Sequence, residues 1–154
     1  MTYDEIMREW NKHTEISFSD FMSIAKAISQ VYPMIVLANL TRNTYTMIRD
    51  EGFLCNEITT FGCYDNMIDD NVENIHPNYQ KLFYECFSRE HLIRSFQEGK
   101  TEVYAELYQK NKQGQYHWVS THVVKIQSET EDIMHICLNR VLDGIDEKRY
   151  SNRR

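Results

Sequence analysis

The spacing of hydrophobic positions changes several times along the chain, and each change predicts a new element. Near the start, Tyr3, Ile6, Met7 and Trp10 recur at helical spacing, with Thr2 and Glu5 placed as the two ends of a capping box. A second start signal, Ser17 with Asp20, leads into a stripe of Phe18, Phe21, Met22, Ala25, Ile28 and Tyr32. That stripe predicts an amphipathic helix ended by Pro33. The apolar run "MIVLANL" (34–40) and the alternating "TYTMIRD" (44–50), joined by "TRNT", read as a β-hairpin. "YDNMIDDNVENI" (64–75) is polar and reads as short and irregular.

Helical spacing returns in "HPNYQKLFYECF" (76–87), where Pro77 suits a first helical position. Its predicted apolar face is Tyr79, Leu82, Phe83, Cys86 and Phe87. Ser88 is placed to cap "REHLIRSFQE", which turns Leu92, Ile93 and Phe96 inward and stops at Gly99. Three strands follow, at 102–110, 115–126 and 132–142, with "NKQG" and "QSETE" as the turns of an antiparallel meander. Helix, two strands, several helices, three strands is not a βαβ alternation, so the class is α+β with one antiparallel sheet.

A chain of 154 residues suits one domain with a core of its own. The net charge of −6 removes the basic face that nucleic-acid binding needs. The one basic cluster, Lys148, Arg149, Arg153 and Arg154, reads as a solvated tail or the start of a linker. Cys55, Cys63, Cys86 and Cys137 form no C-x-x-C pair, which fits a reduced cytoplasmic setting. The first residues lack the apolar core of a signal peptide, and no stretch approaches the ~20 apolar residues of a membrane helix. A soluble protein is expected.

Three histidines, His117, His122 and His135, invite a metal reading. Strand alternation puts His117 and His122 on opposite faces. A turn centred near Thr130 sets His135 opposite Lys125, on the His117 face but roughly 27 Å along the strand direction. No simple register gathers all three, so no metal site is predicted. "DNMIDDNVEN" lacks the spacing, the glycine and the closing Glu of a calcium loop. Nucleophile-elbow, zincin and P-loop motifs are absent, and an enzyme is not predicted.

Three segments in order resemble the PAS domain family. "IHPNYQKLF" looks like the family's I-H-P-x-D segment opening a helix. "AELYQKNKQGQYHWV" is similar to its E-Y-R-x-x-x-K-D-G-x-Y-R-W-V hairpin, and "LDGIDEKR" resembles its D-I-T-E-R-K exit. Asn78-Tyr79 replace the usual acidic pair, and Gly144-Ile145 stand where Ile and Thr are usual. The resemblance implies a five-stranded antiparallel sheet with helices on one face, formed by 33–143. Residues 1–32 would be a helical extension on the other face, and 144–154 an exit linker.

It also implies a sensory or dimerisation module, upstream of a GGDEF or histidine kinase output from which this chain is cut or which it lacks. Haem-binding members use a histidine on the helix before the third strand. Here that is His91, grouped with Arg94, Ser95 and Glu98 on a polar, solvent-facing side, so haem is not predicted. The flavin-binding members carry N-C-R-F-L-Q, of which "FGCYDNMID" has only Cys63, so flavin is not predicted either.

Following the resemblance, a pocket for an unidentified small molecule is lined from the strands by Val103, Ala105 and Leu107, by Val119, Thr121 and Val123, and by Cys137 and Asn139. Phe83, Phe87, Leu92 and Phe96 cover it from the helices. The opposite face, with Tyr104, Trp118 and Ile136, is too apolar to leave wet. The Phe18, Phe21, Met22, Ala25 and Ile28 stripe is expected to dock there and help build a homodimer. Two alternatives stay open: a ligand-free interaction domain that only dimerises, and an NTF2-like enzyme, which would require 34–50 to be helical.

Overall fold

The computed structural model describes residues 2–6, 8, 18–50 and 60–142, with the backbone alone for 18–22 and 25. The chain divides into two compact units, Met1–Val31 and Tyr32–Arg154.

In the first unit the capping box forms as the sequence predicts. The Thr2 backbone N–H donates to Glu5 Oε2 at 2.9 Å, and the Glu5 N–H donates back to Thr2 Oγ1 at 3.2 Å. Helix α1 runs Phe18–Val31, with Ile24, Ile28 and Val31 exposed. The side chains of Phe18, Phe21, Met22 and Ala25 lie outside the described residues.

In the second unit, strands β1 (Met34–Asn39) and β2 (Thr44–Asp50) form the predicted hairpin, so the 34–50 segment is not helical. Then come β3 (Phe61–Cys63), helix α2 (Tyr64–Val72), a single 3-10 turn at Pro77–Tyr79, α3 (Gln80–Phe87) and α4 (Arg89–Gln97). Strands β4 (Glu102–Lys110), β5 (Tyr116–Ile126) and β6 (Met134–Val141) follow. The sheet is antiparallel in the order β3-β2-β1-β6-β5-β4. It has six strands where five were expected. The extra one, β3, is three residues long and, among the described residues, pairs with β2 alone, too short to leave an alternating pattern in the sequence.

Two further expectations are corrected. The 64–75 segment is not irregular: Tyr64, Met67 and Ile68 are buried on one face of α2. Its N-cap, Cys63, makes no side-chain cap bond, so the local start signal is missing. The cap comes from the β1–β2 turn instead. Asn43, at φ 57°, accepts from the Tyr64 N–H through its backbone O (3.1 Å) and from the Asp65 N–H through Oδ1 (3.0 Å). Its Nδ2 donates to Asp65 Oδ2 at 2.9 Å. The α-helix predicted from Pro77 begins only at Gln80, after the 3-10 turn, and Leu82 faces out while Phe83 and Phe87 face in.

The core lies between the inner face of the sheet and α2–α4. Its fully buried members include Val36, Leu40, Phe87, Leu92, Leu107 and Val123. A smaller cluster, Trp118 with Leu142, Tyr79 and Tyr108, sits apart from it. The Tyr79 and Tyr108 rings stand 5.3 and 5.2 Å from that of Trp118. The β4 edge is partly covered as well, since Ile75 bridges Gln109 and the Lys110 N–H donates to Asn74 O.

Candidate functional site

Register decides which side chains meet. Three cross-strand rows form the inner face of β4, β5 and β6: Val103–Val123–Cys137, Ala105–Thr121–Asn139 and Leu107–Val119–Val141. Strand β1 extends the first two with Val36 and Met34. A fourth row carries Lys125, His135 and Ala38, the pairing expected from a turn centred near Thr130.

Over these rows lies a cavity. Met34, Val36, Thr121, Val123, His135, Cys137 and Asn139 line it from the sheet, and Tyr64, Met67, Ile68, Asn71, Phe83 and Phe87 from α2 and α3. Its volume, as the space open to water, is about 30 Å³. One water needs roughly 10–15 Å³ by that measure, so the space suits two or three waters or a molecule of similar bulk.

Half of the predicted pocket lines this cavity: Phe83, Phe87, Thr121, Val123, Cys137 and Asn139. Leu92, Phe96, Ala105, Leu107 and Val119 are buried in the surrounding core, with Val103 packed against it, but none borders the cavity. The difference arises because α2 roofs the space, where α4 was expected to share that role.

The residues that sequence reasoning missed are Met34, Val36, Tyr64, Met67, Ile68, Asn71 and His135. A signal was available for the α2 group, since Tyr64, Met67, Ile68 and Asn71 follow helical i, i+3, i+4, i+7 spacing.

Among the described residues, the groups that line the cavity are uncharged. Tyr64 Oη donates to Phe87 O at 2.8 Å, and burial, the largest influence, raises its pKa well above the ordinary value. Burial likewise pushes the Cys137 thiol up to about 12, partly offset by Asn139, whose Nδ2 donates to Cys137 Sγ at 3.3 Å. His135 is 1% exposed, wedged 5.7 Å from the Tyr64 ring and 6.5 Å from that of Phe96. Neither of its ring nitrogens has a hydrogen-bond partner among the described residues. Burial drives its pKa down to about 4, and a backbone contact at Ile136, short of hydrogen-bond geometry, offsets this only in part.

The other candidate residues lie elsewhere. His122 sits near Glu102 at 3.3 Å on the outer face, and His117 is half-buried near the start of β5. His91 is half-buried rather than solvent-facing, and its Nδ1 bonds the Ser88 hydroxyl that caps α4. Cys63 precedes α2, and Cys55 lies outside the described residues. Among the described residues, no group of three or more His, Cys, Asp or Glu side chains is placed to hold a metal ion. Of the residues proposed for the outer face, Tyr104 is half exposed, Ile136 half-buried and Trp118 buried in its own small cluster.

Among solved structures, the chain is similar to a sensory box histidine kinase/response regulator from Burkholderia thailandensis. The TM-score is 0.50 at 10% identity, over 84% of this chain and 92% of that one. The fold is PAS-like. No family model matches the chain, and neither does any curated protein. Among the described residues, no helix is long and apolar enough to cross a membrane.

Proposed function

We propose that this chain is a cytoplasmic, non-catalytic PAS-type sensory module. It binds a small molecule between sheet and helices, dimerises, and regulates an output domain of the GGDEF or histidine kinase type in cis or in trans. The supporting observation is the cavity itself, walled by β1, β5 and β6 on one side and by α2 and α3 on the other. A ligand there touches both layers, so it can favour one packing of helix on sheet over another, which any transmitted signal requires. The histidine kinase likeness supports an output partner. The apolar outer face, with exposed Tyr104, supports a homodimer.

A second reading, a ligand-free interaction domain that only dimerises, draws its support from the small size of the cavity, about 30 Å³. Native mass spectrometry of the purified chain separates the two. A dimer carrying a co-purifying small molecule supports sensing, whereas a clean apo dimer that binds nothing added supports the interaction role. A strictly monomeric mass at micromolar concentration overturns the dimer in both.

A further inference from the structure

Within the cavity wall, the polar groups are not equally engaged. The Tyr64 hydroxyl is spent on Phe87 O, and the Asn139 amide nitrogen on Cys137 Sγ. His135 differs: it is buried, it borders the cavity, and both its nitrogens lack a partner among the described residues. Leaving such groups unmet is costly, and buried polar atoms are nearly always satisfied by protein, water or ligand. A neutral imidazole offers one N–H donor and one acceptor nitrogen. The two point away from each other across the ring, so a ligand of a few heavy atoms meets one of them, with a single acceptor or donor.

Two more properties narrow the class. Among the described residues, no Lys, Arg, Asp or Glu lines the cavity, so a charged ligand would find no counter-ion among them. Most of the remaining wall, including Met34, Val36, Met67, Ile68 and Phe83, is apolar.

We infer that the cavity takes a small uncharged molecule, of the primary-amide or short-alcohol class, held at its polar end by His135 with its apolar end against the methionines and Phe83. This rests on the sensory reading of the same cavity and names the class of ligand for it. The volume limits the ligand to about two to four heavy atoms, unless the helices shift.

Acetamide and acetate make the test, because they are isosteric and differ in charge. Each is titrated to high millimolar concentration into the 154-residue chain, with backbone and histidine side-chain NMR shifts as the readout. Acetamide is expected to move the His135 ring signals and the amides of Thr121, Val123 and Asn139 saturably, while acetate leaves them in place. His135→Leu, checked for a native-like spectrum, is expected to weaken acetamide about tenfold through loss of one neutral hydrogen bond. His135→Gln, which keeps a donor and an acceptor, is expected to retain most of the binding.

The inference is overturned if acetamide leaves the cavity signals unmoved, if acetate binds equally well, or if His135→Leu binds acetamide as tightly as the parent. Its failure is distinguishable from failure of the sensory reading. A charged or larger molecule found in this cavity by native mass spectrometry overturns the ligand class and leaves sensing intact. Acetamide binding that produces no change in hydrogen exchange across α2 and α3 supports the site and counts against signal transmission.

Discussion

At the scale of single residues, His135 shows how a sheet position can change the chemistry of a side chain. In the open, an imidazole titrates near 6.5; between Tyr64 and Phe96 it is held neutral, with a pKa of about 4. The unfolded chain takes up a proton at this residue below about pH 6.5, and the folded chain does not until about pH 4. Stability is therefore full above pH 6.5 and falls with pH through that window, by roughly 3 kcal/mol at its lower end. Tyr64 and Cys137, the titratable groups lining the same cavity, are both shifted upward and stay neutral throughout. Asp132, on the loop before β6, is shifted downward by its bonds to Asn39 and Arg42, so its own loss begins at lower pH. The difference between parent and His135→Leu isolates the histidine. Denaturant melts at pH 7 and pH 4 are expected to show the parent losing roughly 3 kcal/mol more than the variant. An equal loss in both would mean that His135 is already charged or already hydrated in the fold. The residue was visible in the sequence only as one of three histidines, and alternation correctly separated His117 from His122. Its burial under Tyr64 was not foreseen, because the segment that covers it was read as irregular despite its helical spacing.

At the scale of elements, that helix is the instructive case. Ser88 caps α4 from within its own sequence, with Oγ accepting from the His91 N–H, and the start of α4 is legible from the residues alone. α2 has no such local signal, and its N-terminus is held by Asn43, 22 residues away on the β1–β2 turn. Arg89 adds a tie from α4, pairing with Asp65 at 3.4 Å and donating to Leu40 O at 3.1 Å. Three elements thus meet at one corner, and the α2 boundary is a tertiary fact. Asn43 does two things there, since it tolerates φ 57° and its side chain bonds the helix end. Two substitutions separate these roles. Asn43→Gly keeps the backbone free but loses the side-chain bonds, and is expected to cost about 1 kcal/mol. Asn43→Ala loses the same bonds and adds the left-handed penalty, for a total of about 2–3 kcal/mol. Denaturant melts giving equal losses would show that the cap, and not the conformation, is what the site selects for.

At the scale of the whole sheet, chain order and spatial order diverge. The hairpin β1–β2 and the meander β4–β5–β6 are each local pairings, and both are legible from alternation and turns. The join between them is not. β6, the last strand, inserts beside β1, with Ala38 opposite His135 and Val36 opposite Cys137 across about a hundred residues of chain. Nothing in the two patterns names that partner, although the order of elements already pointed to a single antiparallel sheet. The consequence is cooperative. Every row of the cavity floor crosses the β1–β6 seam or abuts it, so neither half of the sheet has a complete inner face alone. Strand β3 stands at the other extreme, with three residues, one neighbour and Phe61 exposed. Native-state hydrogen exchange in low denaturant tests this directly. Amides of β1, β5 and β6 are expected to share one opening free energy equal to that of global unfolding, with the same denaturant slope. Those of β3 are expected to exchange by local opening at lower cost and with almost no slope. If β4–β6 instead opened as a unit at a lower free energy than β1–β2, the seam would be a hinge between independent halves. The cavity would then be a gap between two bodies, not the interior of one.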